Sequence, residues 1–220
     1  MAKKKSTLIN MLVALLVITA VSGGLLGFVY GMTKDAIAEV DAKKNEAAIQ
    51  AVLPLDGEIT YKADTMTYSE NGVTMTFPCN LAYDQNGTFK GAAVKTSEGG
   101  FGGKIDMMVG FAADGTIKGT SVLSHAETPG LGANMTGKFK DQFVDKNPAS
   151  FKLTVTKDGG DVDAITAATI TSRAFSKAVD KAYKAFEANK AQYMNNKPAI
   201  EETPVAEEEN ETMEGGQDNE

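Results

Sequence analysis

Lys104–Val122 reads KIDMMVGFAADGTIKGTSV, and this stretch decides the fold class. Ile105, Met107, Val109 and Phe111 alternate with other residues, the period of a half-buried strand. Asp114-Gly115 then interrupts the pattern, and such a pair favours a tight hairpin in which both central residues take positive φ. The stretch has an echo 28 residues upstream, where NGTFKGAAV (Asn86–Val94) resembles DGTIKGTSV (Asp114–Val122). Asn86-Gly87 is therefore a second turn signal of the same kind. The echo reads as two similar hairpins in one sheet, not as a duplicated binding unit. Strand-like signal runs from about Glu58 to Ser124.

Helical patterns lie on either side. From Lys34 to Leu53 the residues Ile37, Val40, Ala47, Ala48, Ile49 and Val52 recur at roughly helical spacing, and Pro54 ends the pattern. Beyond the strands, Glu127–Gly132 is a loop punctuated by glycine and proline, Gly137–Val144 reads as a short helix, and Phe151–Val155 alternates as a further strand. Ser172 to about Met194 is amphipathic. Phe175, Ala178, Val179, Ala182 and Phe186 share one face, while Lys177, Asp180, Lys181 and Lys184 lie off it. The order predicts an α+β domain, an antiparallel sheet flanked by helices.

Upstream of all this, Leu8–Met32 is an apolar run of 25 residues, preceded by Lys3, Lys4 and Lys5. A hydrocarbon core needs about 20 residues of helix, whereas a signal-peptide core is about 7–15. Although Ala20-Val21-Ser22 offers small residues suited to cleavage, Leu25, Leu26, Phe28, Val29 and Tyr30 carry the apolar run past them. The reading is one retained N-terminal transmembrane helix, with membrane lipid as its solvent. Lysines before the run and mixed charges after it place the N-terminus in the cytoplasm and the main domain outside. The expected organisation is a cytoplasmic N-terminus (1–7), a transmembrane helix (8–32), a connecting helix (33–56), an extracytoplasmic domain (57–195) and an acidic tail (196–220). The formal net charge is -7, but Pro198–Glu220 holds nine acids and no Lys or Arg, so the remainder is close to neutral at +2. The tail is too polar to bury a core and is expected to be disordered. No basic patch points to nucleic acid.

Single residues exclude several chemistries. Cys79 is the one cysteine, so no internal disulfide or cysteine-rich metal site can form, and its setting in FPCN suits a buried structural thiol. His125 is the one histidine, which excludes a histidine-rich metal site. There is no GxGxxG after a strand and no phosphate loop. Neither a metal site nor a catalytic residue is assigned. What remains is DAITAATITSRA (Asp163–Ala174), a run of small residues and hydroxyls leading into the amphipathic helix. Thr169, Thr171 or Ser172 could cap that helix, or the helix N-terminus could receive a phosphate. HAETPGLGA (His125–Ala133) and EGGFGGK (Glu98–Lys104) are either plain turns or places where backbone comes close to a flat ligand.

Asp163-x-x-Thr-Ala-Ala-Thr169 resembles the flavinylation motif of the FMN-binding domain family, and Glu127-Thr-Pro-Gly-Leu-Gly132 resembles that family's second hallmark. The glycine-rich run ending at Lys104 and the single N-terminal span fit the same pattern, so the resemblance covers about residues 1–190. The family includes the G subunit of the Rnf ion-translocating electron-transport complex and the C subunit of the sodium-pumping NADH:quinone reductase. Ala168-Thr-Ile-Thr-Ser-Arg-Ala174 and the short chain look more like the former. The latter, or an extracytoplasmic flavin-binding sensory or structural module, is the alternative. Where the family pattern usually has glycine, this chain has Ala167.

The resemblance implies FMN joined through its phosphate to the hydroxyl of Thr169, installed by a separate flavin transferase with FAD as donor. It implies further flavin contacts from Thr166, Ala168, Thr171, Glu127, Thr128, Gly130, Leu131, Gly132, Gly102, Gly103 and Lys104. It also implies a role as a redox subunit, non-catalytic alone, working with the other subunits of an Rnf-type complex that couples electron flow between ferredoxin and NAD to ion movement in the cytoplasmic membrane.

Overall fold

The computed structural model describes residues 8–195. The expectations for segments 1–7 and 196–220 lie outside the described residues. The apolar run and the helix expected after it are one continuous α-helix, α1 (Leu8–Val52). No proline interrupts it, and its two threonine hydroxyls bond back onto the helix. Thr19 Oγ1 donates to the carbonyls of Leu15 and Leu16, each at 3.0 Å, and Thr33 Oγ1 donates to Val29 O at 2.9 Å. The helix is exposed along the whole apolar run, and it is long and apolar enough to cross a membrane. It ends where Pro54 has no N–H to continue the ladder, the last bond being Leu53 N to Ile49 O at 3.0 Å.

Five strands follow: β1 (Ile59–Glu70), β2 (Val73–Asp84), β3 (Phe89–Gly99), β4 (Lys104–Ala112) and β5 (Ile117–Ser124). They form one antiparallel sheet in sequence order, β1-β2-β3-β4-β5. In β4 the alternation is as expected. Ile105, Met107, Val109 and Phe111 face a core shared with the C-terminal helix α2 (Thr169–Asn195), while Met108 faces the opposite side. On the α2 side, Phe175, Ala178, Val179, Ala182 and Phe186 are all fully buried. Phe186 stacks on Phe111 with ring centroids 5.1 Å apart. On the other side the last turns of α1 bring Ala48, Val52 and Leu53 against Ala82, Ala93 and Met108.

Two paired glycines make that second contact possible. Gly110 and Gly119 sit opposite each other in β4 and β5. A Cβ on Gly110 would run into the Val52 carbonyl, and one on Gly119 would lie 2.9 Å from Val52 Cα. Removing both side chains opens a pit in the sheet that seats the end of α1. Cys79 is buried as expected, and burial, reinforced by the Asp64 charge, pushes its thiol pKa up to about 12.

The turns differ from expectation in type. The two-residue hairpin with both central residues at positive φ is Asn71-Gly72 (φ 53° and 79°), between β1 and β2. At the other two turns only the glycines, Gly87 (φ 71°) and Gly115 (φ 91°), take positive φ. Gly87 N bonds Asp84 O at 2.9 Å and Asp84 N bonds Thr88 O at 3.0 Å, so the loop is longer by a bulge. The Ala112–Thr116 turn repeats the geometry, which explains the echo.

Phe151–Val155 is not a strand of the sheet. Leu153 and Val155 are buried and Lys152 and Thr154 exposed, so the alternation is real. However, its backbone groups are taken up within a local loop, with Asp161 N bonding Lys152 O at 3.1 Å and Val162 N bonding Thr154 O at 3.0 Å. Its sole ladder contact is a parallel bridge, Val155–Val162. The β5 edge is met earlier, where Ile117 N bonds Lys146 O at 2.9 Å. The expected helix at Gly137–Val144 is a 3₁₀ turn, Lys138–Phe143.

Candidate functional site

Three segments far apart in sequence meet at the N-terminal end of α2, and one carboxylate joins them. Glu127 is only 6% exposed. Its Oε1 accepts from Gly102 N at 3.0 Å, and its Oε2 accepts from Thr171 Oγ1 at 2.7 Å. The glycine-rich turn, the Glu127–Gly132 loop and the first turn of α2 are thereby tied together. The glycines around the knot are needed for space. A Cβ on Gly132 would strike Glu127 Oε2 and the Thr171 hydroxyl, and one on Gly100 would strike Glu127 Oε1. Thr128 shapes the loop through its carbonyl, which accepts from both Leu131 N and Ala133 N at 3.2 Å.

The hydroxyls at the start of α2 divide sharply in what they do. Ser172 Oγ accepts from Ile165 N at 2.9 Å and donates to Ala168 O at 3.0 Å, stitching the preceding turn to the helix. Thr171 serves Glu127. Helix α2 begins at Thr169, three residues earlier than its amphipathic pattern suggests. None of its three hydroxyls caps by the anticipated route. The Ile165–Ala168 turn closes through Ala168 N to Ile165 O at 3.0 Å, with Ala167 at φ 62°. Thr169 is left half-buried, and the one contact of its Oγ1 among the described residues is with Lys157 Nζ, at 3.5 Å. That is long for a hydrogen bond, and we treat it as proximity.

Beside Thr169 lies a cavity of about 360 Å³, lined by Phe101, Glu127, Thr128, Leu131, Gly132 and the Ala167–Thr171 stretch. This is within the size range of small-ligand sites, roughly 300–1,000 Å³. Its rim is apolar although it faces water: Phe101 is 71% exposed, Ile170 51% and Leu131 43%. Of the residues expected from sequence, Glu127, Thr128, Leu131, Gly132, Ala168, Thr169 and Thr171 meet here. Gly102 acts through its N–H to Glu127. Gly130 (φ 77°) turns the loop and carries the carbonyl that accepts from Asn134 Nδ2 at 3.0 Å. Thr166 is exposed in the turn beside Ala167. Gly103 and Lys104 do not line the cavity. Lys104 pairs with Asp106 at 2.8 Å and faces a separate polar cleft.

Three lining or neighbouring residues were not singled out from sequence: Phe101, Ile170 and Lys157. Phe101 was visible as the one large residue among four glycines. Nothing in the sequence marks Lys157, which reaches Thr169 only through the fold. Among the described residues no group of three or more His, Cys, Asp or Glu could hold a metal. A phosphorylated flavin suits the site. The N-terminal turn of α2 has free N–H groups and carries no acid. A lysine stands beside the free hydroxyl, and the cavity wall is apolar enough for an aromatic ring.

Residues 100–184 match the FMN-binding domain family. The G subunit of an ion-translocating oxidoreductase complex from Methanosarcina acetivorans is 34% identical over 180 residues, covering 79% of this chain and 91% of that protein. The G subunit of the Na(+)-translocating ferredoxin:NAD(+) oxidoreductase complex of Acetobacterium woodii is 32% identical over 183 residues, covering 79% and 88%. Among solved structures, the C subunit of the Na(+)-translocating NADH-quinone reductase of Parabacteroides distasonis aligns with a TM-score of 0.48 at 16% identity, over 73% of this chain and 96% of that one.

Proposed function

This chain belongs to the family of G subunits of ion-translocating oxidoreductase complexes, and from that premise we propose that it is an electron-transfer subunit with FMN esterified to Thr169. The observation that carries the proposal is the division of hydroxyls at the start of α2. Ser172 and Thr171 are committed to the fold, whereas Thr169 is free, at the mouth of an apolar cavity and next to a cation. A hydroxyl with no base beside it is a weak nucleophile, so activation falls to a flavin transferase. In the transfer a bond forms between Thr169 Oγ1 and the FMN phosphorus of FAD. The pyrophosphate P–O bond breaks, AMP leaves, and the hydroxyl proton passes to the transferase.

When bound, the flavin supplies the electron chemistry, and the protein supplies attachment, orientation and a polarity-tuned wall. Phe101, Leu131 and Ile170 offer apolar surface to the ring, and Thr128 and the Glu127 knot fix the loop against it. Because Thr171 donates its proton to Glu127, its place is in the support of the site. The chain crosses the cytoplasmic membrane once through α1, its N-terminus inside and its sheet domain outside. There it exchanges electrons with the other subunits of an Rnf-type complex that links ferredoxin and NAD to ion movement. Alone it neither binds NAD nor moves ions.

Co-expression with a flavin transferase, digestion and mass spectrometry of the Thr169 peptide tests this reading. An FMN-sized addition on Thr169, absent in Thr169→Ala, is the expected result. An unmodified peptide, with the transferase active on a control substrate, would overturn it.

A further inference from the structure

Lys157 is an exposed lysine in the wrong place for a helix. It sits in the 3₁₀ turn Thr156–Asp158, beside the first turn of α2. The N-terminal end of a helix carries partial positive charge, which favours acids and disfavours a nearby ammonium. The first turn of α2 contains no acid to offset it. Nor does Lys157 form an ion pair elsewhere among the described residues. Its neighbour Asp158 gives both carboxylate oxygens to Arg173, Nε at 2.7 Å and a terminal nitrogen at 2.8 Å. That pairing holds the Asp158 carboxyl below its usual range and the guanidinium above its own.

The same pairing aims the lysine. Arg173 follows Thr169 by four residues, one helical turn along the same face. Gripping Asp158 therefore aligns the Thr156–Asp158 turn with the threonine. The back of that turn is fixed by fully buried Val155, by its bridge to Val162, and by Thr156 N bonding Val162 O at 2.8 Å. Lysine, helix terminus and free hydroxyl converge, and the adjacent carboxylate, Asp158, is committed to Arg173. The 3.5 Å gap between Nζ and Oγ1 is loose for a hydroxyl. It leaves Nζ within reach of the non-bridging oxygens of a phosphorus bonded to Oγ1.

Resting on the attachment of FMN at Thr169, we propose that Lys157 is the positioning residue and counter-ion for the phosphodiester. It steadies the incoming phosphoryl group while the Oγ1–P bond forms and the pyrophosphate P–O bond breaks with loss of AMP. It then holds the finished linkage, which carries one negative charge, against the end of α2. Lys157 neither gains nor loses a proton in the step. A phosphate clamped there would limit the directions in which the ribityl chain could leave, in a site whose apolar wall is formed by Phe101, Leu131 and Ile170.

The test uses the full chain in detergent, with purified transferase and FAD, comparing wild type, Lys157→Gln and Lys157→Arg. Attachment is followed by intact mass, and the motion of the attached flavin by time-resolved fluorescence anisotropy. Loss of a charge-assisted contact to phosphate should slow attachment by about five- to tenfold in the glutamine variant. The flavin that does attach should show a nanosecond wobble absent from wild type. The arginine variant should restore both within about twofold, since its guanidinium also binds phosphate. An unchanged melting curve of the flavin-free glutamine variant separates the effect from misfolding. Equal attachment rates and equal anisotropy in wild type and Lys157→Gln overturn the assignment. If wild type itself takes no flavin while a control substrate does, the attachment reading has failed, and the role of Lys157 falls with it.

Discussion

Replacing Ala167 with glycine should make this protein more stable, against the usual direction of such a change. Ala167 stands at φ 62°, in the turn closed by Ala168 N and Ile165 O. A Cβ in the left-handed region costs about 1–2 kcal/mol. Glycine removes that cost but adds freedom to the unfolded chain, worth about 0.4–1 kcal/mol in the opposite sense. Ala167 is exposed, so little burial is lost. The net gain is about 0.5–1 kcal/mol, or roughly 1–4 °C in melting temperature for a chain of this size. Urea unfolding of the detergent-solubilised full chain should show a raised midpoint at unchanged slope. Ala167→Val, β-branched and worse at positive φ, should fall below wild type. A lower midpoint for Ala167→Gly, or a valine variant as stable as wild type, would refute the reasoning.

Other substitutions probe other parts of the molecule. Thr171→Ala deletes the donor to a buried carboxylate and should cost about 1.5–3 kcal/mol, with Thr171→Ser recovering most of it; equal urea midpoints for all three proteins would show that the Glu127 knot is not structural. Gly110→Ala drives a methyl group into the Val52 carbonyl, so hydrogen exchange at Ala48–Leu53 should quicken markedly, and unchanged protection would contradict the seating of α1. Glu98 is half-buried, which alone would raise its pKa, but the ammonium groups of Lys181 and Lys177 outweigh this and hold it below the ordinary carboxylate value. Because the folded pKa is the lower one, its contribution is complete above the unfolded value of about 4.3 and is lost as pH falls through the folded value. Between pH 5 and 3, then, wild type should lose stability faster than Glu98→Gln, and parallel curves would count against the ion pairs.

The sheet and its flanking helices were readable because each buries one face, and burial leaves its period in the residues. Phe175, Val179 and Phe186 announce α2 as plainly as Ile105, Met107 and Val109 announce β4. Turn types were less readable. Asn71-Gly72, Asn86-Gly87 and Asp114-Gly115 are the same local signal, and the bulged pairing around the last two depends on where the next strand can bond. Phe151–Val155 shows the opposite failure: its alternation is real, but the sheet edge is occupied elsewhere. At the site, the meeting of Glu127, Gly132 and the start of α2 was legible because backbone crowding restricts residue type there. Lys157 and Ile170 were not, since any exposed position tolerates them and only the closure of the Lys152–Val162 loop and the start of α2 bring them together.

With α1 seated in a bilayer as proposed above, its unbroken course would make the membrane a mechanical participant. From Met32 at the end of the apolar run to Val52 in its glycine pit is roughly 30 Å of helix, at 1.5 Å per residue. With no break between them, the span and the sheet turn as one lever. A change in tilt of about 10° within the bilayer, the kind that thickness mismatch produces, would sweep the seat of the domain sideways by roughly 5 Å. Electron transfer falls off steeply with separation, so bilayer thickness would act as a gear on the reach of the flavin. Reconstitution in lipids of graded chain length should change the rate of electron delivery to this protein, and a rate indifferent to thickness would mean that neighbouring subunits hold the lever still.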